Sequence, residues 1–452
     1  MPKDRYPHPW REPHPALGPA GKAAAMGLLI ALAAGAACAQ ALPSAQVRDR
    51  TAHGQPPTEA VLPLTLPEAV ALALGGHPDL AAAKREIEAA QGQVIQGRTR
   101  PNPELAYVLE DHRPQTRTQS VQISLPVETG GKRAARIAVA ERGRDMALEE
   151  LDMRRTDIRT AVAAAFFDTL VAQERAALAQ DSVDLAGKAS DAVAKRVAAG
   201  KVSPVEETKA QVAEAGVRVE LAQAQSEQRS ARGRLAGLLG PRAPRFTLVA
   251  GQVDALPAVP DSGAVQQRLS ASPQLRRAQL EVERRRSMAD VERSRQIPDI
   301  TLSLGVKRPN ELQRDQLLLG VSVPLPLFDR NQGNLLEALK REDKARDELQ
   351  ALAVRASTEV LQARERLDAM RGEVEVLRRD VLPGARRAYE AAATGFDNGK
   401  FSFLEVLDAQ RTYFAAKSQY LKALGEAHRA AADIDRVLGE PVPNAIPPID
   451  QE

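Results

Sequence analysis

Hydrophobic and polar positions along this chain follow two periods, and the change from one to the other marks the elements. Four short stretches alternate. In 300–306, Ile300, Leu302, Leu304 and Val306 are separated by Thr301, Ser303 and Gly305. In 317–323, Leu317, Leu319, Val321 and Val323 share one face, and Leu318, Gly320 and Ser322 the other. In 121–125, Val121, Ile123 and Leu125 alternate with Gln122 and Ser124. In 105–109, Leu105, Tyr107 and Leu109 share a face, although Ala106 and Val108 blur the contrast. A period of two puts successive side chains on opposite faces of a strand. The other segments predict helices: 78–100 and 273–297 after an x-Pro start, then long Ala/Glu/Arg/Gln-rich regions. No proline occurs from Gly131 to Ala199, and a helix of about 70 residues would extend about 100 Å, with Gly143 and Gly187 as points of bending or interruption. Within it, Ile158, Val162, Ala165, Phe166 and Leu170 form an apolar stripe opposite Asp157, Arg159, Thr160 and Asp168. In the second half, 331–382 and 400–438 repeat the long-helix pattern.

The elements recur in the same order in two halves. His77-Pro78-Asp79-Leu80 matches Ser272-Pro273-Gln274-Leu275, and Pro103-Glu104-Leu105 matches Pro298-Asp299-Ile300, both at an offset of 195. Ile123-Ser124-Leu125-Pro126 matches Val321-Ser322-Val323-Pro324 at 198, while Gly200-Lys201 matches Gly399-Lys400 and Leu239-Gly240 matches Leu438-Gly439 at 199. The expected organisation is a first repeat over 64–240, with strands at about 103–113 and 117–127, a Pro-rich linker over 241–262, and a second repeat over 263–440, with strands at about 298–308 and 314–325. A tail over 441–452 follows.

The N-terminus adds a compartment. Lys3, Arg5, Arg11 and Lys22 precede an apolar run from Ala23 to Ala37, too short to span a bilayer. Ala37-Cys38-Ala39 then fits a small-x-small cleavage site, so 1–39 reads as a secretory signal peptide and 40–63 as an N-terminal extension. A second reading makes Cys38 a lipidated N-terminus. No later apolar run is long enough for a membrane helix, so any membrane insertion is by strands. Each alternating segment has about the length of a tilted membrane strand. Four strands cannot close a barrel, and open edges are not viable in lipid. Several chains must therefore share one barrel if these strands lie in a membrane.

Composition narrows the chemistry. The chain has 452 residues, with 62 Lys and Arg against 59 Asp and Glu. That balance disfavours a nucleic-acid partner. Aromatics are only 3%, which suits long helices better than a compact aromatic core. One Cys excludes an intrachain disulfide, and His53, His77, His112 and His428 form no pair at helical metal-ligand spacing. His77, ahead of Pro78, reads as a helix-start residue. With no phosphate loop and no catalytic constellation, the expectation is a protein without enzymatic activity, cofactor or resident metal.

These residues resemble the TolC-like outer-membrane efflux proteins over about 64–440. The resemblance rests on the duplicated plan with Leu64-Thr65-Leu66-Pro67-Glu68-Ala69, His77-Pro78, Pro101-Asn102-Pro103 and Phe403-Leu404-Glu405-Val406-Leu407-Asp408-Ala409-Gln410. A narrower resemblance, to the CzcC-like heavy-metal efflux subgroup, rests on two segments. They are Leu125-Pro126-Val127-Glu128-Thr129-Gly130-Gly131-Lys132-Arg133 and Pro324-Leu325-Pro326-Leu327-Phe328-Asp329-Arg330-Asn331-Gln332-Gly333-Asn334. The resemblance implies a mainly α fold with a small β part. A long periplasmic α-helical barrel would carry four membrane strands per chain into a shared 12-stranded barrel of a homotrimer in the outer-membrane lipid. The implied partners are a periplasmic adaptor protein and an inner-membrane resistance-nodulation-division pump, and the implied cargo is heavy-metal cations. Drug efflux or type I protein secretion is the alternative cargo, and a non-pore periplasmic coiled-coil scaffold the alternative class. Adaptor contact would fall on Arg196, Gly200, Lys201, Val202 and Ser203 and on Gly399, Lys400, Phe401 and Ser402. Gate positions would be Glu405 and Asp408, on one helix face, with Glu206 and Glu207 as first-repeat candidates. The scarcity of aromatics is a departure, since membrane barrels usually carry aromatic girdles and the strands offer only Tyr107, with Phe328 near an end.

Overall fold

A computed structural model describes residues 63–240 and 246–439. The expected signal peptide with Cys38, the extension apart from Pro63, the start of the linker at 241–245 and the tail all lie outside the described residues.

Each repeat opens with helices set by their caps. Helix α1 (Leu66–Gly76) starts at Thr65, whose N–H donates to Glu68 Oε2 at 3.0 Å, with Pro67 in the first turn. Helix α2 (Pro78–Arg98) starts at His77, whose Nδ1 accepts the Asp79 N–H at 3.2 Å. His77 is thus a cap. Strands β1 (Glu104–Glu110) and β2 (Thr118–Val127) lead into α3 (Lys132–Ala198), and α4 (Pro204–Leu239) returns. The second repeat contains α5 (Ser262–Ser270), α6 (Pro273–Arg295), β3 (Ile300–Pro309), β4 (Gln316–Ser322), α7 (Gln332–Val376), α8 (Leu382–Asp397) and α9 (Phe403–Leu438).

Two long-helix expectations are revised. Helix α3 runs unbroken for 67 residues, about 100 Å, through both Gly143 and Gly187. A helical glycine costs only about 1 kcal/mol against alanine, which packing on several sides outweighs. The second long helix does not stop at 382. It continues into α8 through a π-helical turn, Leu377–Val381. Pro383 has no N–H for the Arg379 carbonyl, and the wider turn makes room for its ring. The supposed polar face of α3 is also partly interior, because α1, α2, α4, α6 and α9 all pack on this helix. Thr160 is buried, its hydroxyl donating to the Thr156 carbonyl at 3.0 Å, and Asp168 accepts from Arg429 Nε at 2.8 Å.

The four strands form one antiparallel sheet in the order β1-β2-β3-β4. The β1–β2 ladder runs from Glu104 opposite Ser124 to Glu110 opposite Thr118. The β3–β4 ladder runs from Thr301 opposite Ser322 to Lys307 opposite Gln316. Both ends of the two ladders coincide when β1 is shifted by 197 and β2 by 198. The offset of 195 read at Pro103 and Pro298 therefore does not hold through the strands. Helix α6 has 23 residues against 21 in α2, and those two extra residues carry the offset from 195 to 197.

Midway along the helices an apolar core joins Leu66 and Ala73 of α1 to Val162 and Phe166 of α3, Leu235 of α4 and Leu424 of α9. Val249 and Val253 of the linker belong to it. Leu64 and Val249 form a parallel bridge, and Gln173 brackets Val249, its Nε2 donating to the carbonyl at 3.1 Å and its Oε1 accepting the N–H at 2.8 Å. His428 is buried and stacked on Phe167 at 3.6 Å, and its Nε2 meets the Val253 carbonyl at 2.9 Å. A carbonyl only accepts, so Nε2 carries the proton. Burial pushes the His428 pKa below the usual histidine value, which the hydrogen bond only partly offsets.

Candidate functional site

The sheet has two unlike faces. Leu105, Tyr107 and Leu109 of β1 stand beside Val121, Ile123 and Leu125 of β2. Leu302, Leu304 and Val306 of β3 continue the row, followed by Leu317, Leu319 and Val321 of β4. All of these side chains are exposed, Leu319 at 75%. Such a continuous apolar band is far larger than a soluble monomer presents to water. The other face carries Gln122, Ser124 and Ser303, with the Ser124 and Ser303 hydroxyls 3.1 Å apart. Gly305 lies on that face under Val121 and Gln122, where a Cβ would stand 2.7 Å from the Val121 carbonyl oxygen. Beyond the band, Lys307 Nζ meets Glu110 Oε2 at 3.0 Å, and Asn310 Nδ2 donates to the Pro114 carbonyl at 2.8 Å, tying the two hairpin tips.

Where strands become helices, the two sequence segments quoted for the narrower resemblance form junctions. Gly130 and Gly131 both have positive φ, 65° and 77°. A Cβ on Gly130 would stand 2.8 Å from the Ser294 carbonyl oxygen, so only glycine fits there. Beside it, Thr129 N–H donates to Asp299 Oδ1 at 3.0 Å, and its hydroxyl donates to the Pro298 carbonyl at 2.5 Å. Lys132 Nζ lies 2.8 Å from the same Asp299 oxygen, and Arg136 pairs with Glu128. Burial draws the Asp299 carboxyl upward, but the Thr129 N–H and the Lys132 ammonium outweigh it and hold the pKa below the usual carboxylate value. The second junction uses Asn331 at φ 58° ahead of α7, and its Nδ2 donates to the Glu292 carbonyl at 2.9 Å. Neither clamp was legible as a site, because Asp299 and Thr129 are 170 residues apart.

At the opposite end the long helices turn. Lys201 N–H donates to the Arg196 carbonyl and Gly200 N–H to the Val197 carbonyl, each at 2.9 Å. Lys400 N–H donates to the Gly395 carbonyl at 2.7 Å and Gly399 N–H to the Phe396 carbonyl at 2.9 Å. This is one C-terminal cap built twice, with Gly200 and Gly399 in the left-handed conformation it needs. Gly200, Lys201, Ser203, Gly399, Lys400, Phe401 and Ser402 are exposed, and Val202 is half-buried in a small apolar cluster around Val193, Phe396 and Val406. Arg196 points elsewhere. It is half-buried, its Nη2 donates to the Phe396 carbonyl at 2.7 Å, and its guanidinium lies 3.9 Å above the Phe396 ring. It binds one turn to the other.

The acidic candidates differ in their engagement. Glu405 closes a capping box, its Oε2 accepting the Ser402 N–H at 2.6 Å. Glu206 accepts from Lys209 at 3.0 Å, and Glu207 from the Gln211 amide at 3.4 Å. Asp408 is exposed, and its carboxylate has no partner among the described residues. The tip offset of 199 pairs Glu206 with Glu405, but it sets Lys209 against Asp408. Among the described residues no group of three or more His, Cys, Asp and Glu side chains could hold a metal ion.

An antiparallel sheet with an apolar outer band, two open edges and helices of about 100 Å ending in capped turns is one protomer of a membrane channel. Among the described residues no helix is long and apolar enough to cross a membrane. The chain belongs to the outer membrane efflux protein family, whose model matches residues 69–241 and 264–440. It resides in the outer membrane, with a large periplasmic helical portion. Among curated relatives, the cobalt-zinc-cadmium resistance protein CzcC of Cupriavidus metallidurans is 46% identical over 383 residues, covering 85% of this chain and 92% of CzcC. Among solved structures, the open-state MtrE outer-membrane channel of Neisseria gonorrhoeae superposes with a TM-score of 0.71 at 20% identity, covering 83% of this chain and 89% of MtrE. The channel CusC superposes with a TM-score of 0.70 at 19% identity, covering 82% of this chain and 91% of CusC. The TolC-like fold expected from the sequence is the fold of this chain.

Proposed function

We propose that this chain is the outer-membrane duct of a tripartite resistance-nodulation-division system that exports heavy-metal cations. The observation that carries the cargo is the 46% identity to a cobalt-zinc-cadmium resistance protein across 92% of that protein's length. Several copies form the duct, because four strands leave both sheet edges open, and the resemblance to TolC-like channels makes their number three. The exposed turns at Gly200–Ser203 and Gly399–Ser402 meet the periplasmic adaptor, which couples the duct to the inner-membrane pump. Arg196 acts there by holding the two turns together. Asp408 supplies the gate's charge, since its carboxylate is uncommitted. Three such carboxylates around an axis attract cations and repel anions at a constriction without forming a tight site that would slow release. Glu405 adds to that ring while also capping its helix. The duct performs no bond-making chemistry.

The test is growth of a deletion strain on zinc, cobalt, cadmium and nickel beside a drug panel, with and without a plasmid copy. Metal sensitivity restored by wild type but poorly by Asp408→Ala supports the reading. Sensitivity to drugs alone would overturn the cargo and leave the channel.

A further inference from the structure

The apolar row on β4 does not end with the strand. The β3–β4 ladder stops at Thr301 opposite Ser322, yet Val323, Leu325, Leu327 and Phe328 follow, all of them exposed. Phe328, at 91%, is the most exposed large hydrophobic side chain among the described residues. We propose that Leu325, Leu327 and Phe328 form a loop that enters the headgroup region of the inner leaflet of the outer membrane and binds phospholipid there. The proposal rests on the apolar face of the sheet lying in lipid, and it adds to that sheet an anchor outside the strands.

The first support is continuity with the apolar band. Leu317, Leu319 and Val321 lie on that face of β4, and Val323, two residues on, keeps the phase. Val323 stands one step past the Thr301–Ser322 pair, level with Ile300, which lies opposite Val127. The loop therefore starts where β2 and β3 end, at the boundary between lipid chains and water on the helical side of the sheet. Membrane barrels gather aromatic residues at that depth. The one aromatic residue of the strands, Tyr107, is level with Val121, Val306 and Leu317, nearer the hairpin tips, so this boundary has no other aromatic from the sheet. The second support is the backbone. Pro324 and Pro326 offer no N–H to a ladder, and the Leu327 N–H donates to the Leu325 carbonyl at 2.9 Å, a tight turn that bends the chain out of the strand. Asp329 Oδ1 accepts the Asn331 N–H and Gln332 Oε1 accepts the Arg330 N–H, each at 2.8 Å. The polar end of the loop is thus folded onto the start of α7, and the exposed Arg330 beside the apolar residues fits a headgroup phosphate. The third support is the contrast between repeats. Pro126 is five residues from the helix cap Gly131, whereas Pro324 is seven from the cap Asn331. The shorter junction, Val127-Glu128-Thr129-Gly130, is locked inside the chain by polar contacts, Thr129 to Asp299 and Glu128 to Arg136. The longer one begins with Leu325-Pro326-Leu327-Phe328 in place of those residues, and an apolar loop suits a lipid surface, which offers no fixed polar partner.

The test uses tryptophan as a depth probe in the full-length chain, reconstituted in phosphatidylcholine vesicles. Trp10 is the chain's one Trp, and Trp10→Phe is made throughout so that each added Trp is alone. Phe328→Trp is the probe, with Leu325→Trp as a second position should the first fail to fold. Ile123→Trp on the apolar face marks the bilayer interior, and Phe401→Trp at the exposed helix turn marks water. The vesicle lipids carry bromine either near the headgroup or deep in the acyl chains, and iodide is the quencher from water. The expected result is emission from Phe328→Trp at shorter wavelength than from Phe401→Trp, with bromine near the headgroup quenching it several-fold more strongly than deep bromine or iodide. Ile123→Trp should reverse the preference between the two lipids. Quenching of Phe328→Trp and Leu325→Trp by iodide alone overturns the anchor and puts the loop in water. Quenching by neither lipid nor iodide overturns it in favour of burial against a neighbouring copy. In both cases lipid quenching of Ile123→Trp leaves the membrane sheet standing. Quenching of Ile123→Trp by iodide and by neither lipid overturns the sheet assignment and the anchor together.

Discussion

Ile123 tests whether the exposed apolar face lies in lipid. It is the sixth of ten residues in β2, flanked by Leu105 and Leu304, and is 53% exposed. Ten residues at about 3.3 Å each, tilted by about 40°, rise about 25 Å, the height of an apolar membrane band, which puts Ile123 near its middle. Ile123→Arg then costs about 2–4 kcal/mol, or roughly 30- to 700-fold in the folding equilibrium. Gln122→Arg, one residue away on the other face, costs close to nothing, because the side chain meets water in the lumen. If the sheet stood in water instead, Ile123→Arg at a half-exposed position would fall within about 0.5 kcal/mol of wild type. The assay is urea unfolding of the protein inserted in lipid vesicles, followed by the heat-resistant folded band on a gel. Equal midpoints for the two variants, or a larger loss for Gln122→Arg, would refute the assignment of the faces.

Three other outcomes are expected. Gly130→Ala lowers stability by at least about 1 kcal/mol more than Gly131→Ala in the same urea series, because both strain a positive φ but only Gly130 also meets the Ser294 carbonyl. For His428 the folded pKa is depressed below the unfolded value, so the folded protein resists protonation. Stability is therefore full above the usual histidine pKa and falls as pH drops below it; His428→Gln removes that slope, and thermal midpoints at pH 7.5 and 5.5 would expose an unchanged one. Arg196→Lys keeps the charge but loses the planar stack on Phe396, so limited proteolysis at the 199–203 turn speeds up, whereas wild-type rates would deny the tie.

The hairpins were legible because lipid imposes a period of two that needs no knowledge of the partner. The long helices were legible for a related reason: with no proline between 131 and 199, local preference and packing agree. Two helical details were not. The passage through Pro383 depends on a π turn with no signature beyond the proline, and the burial of Thr160 depends on how many helices surround α3. The offset of 195 misled at the strands because a helix absorbs two extra residues without changing its pattern.

The site was legible only in outline, and the acidic residues show why. Ser402 followed three positions later by Glu405 is a capping-box signature as well as a gate residue's setting, and the fold uses it as a cap. The tip offset of 199 could have separated the roles, since it gives Glu405 an acidic counterpart in Glu206 and gives Asp408 a basic one in Lys209. A ring of Asp408 in three copies would therefore alternate with Lys209, not with a second carboxylate, if the two hairpins stand at equal height around the axis. Lys209 is held by Glu206 at 3.0 Å within this chain, so at the duct's narrow end it would neutralise Asp408 of a neighbouring hairpin only where closing helices draw it from that pair. The charge a cation meets would then depend on the state of the helices, so Asp408→Ala and Lys209→Ala should shift ion selectivity in planar bilayers in opposite directions. Equal shifts of the same sign would remove Lys209 from the lumen.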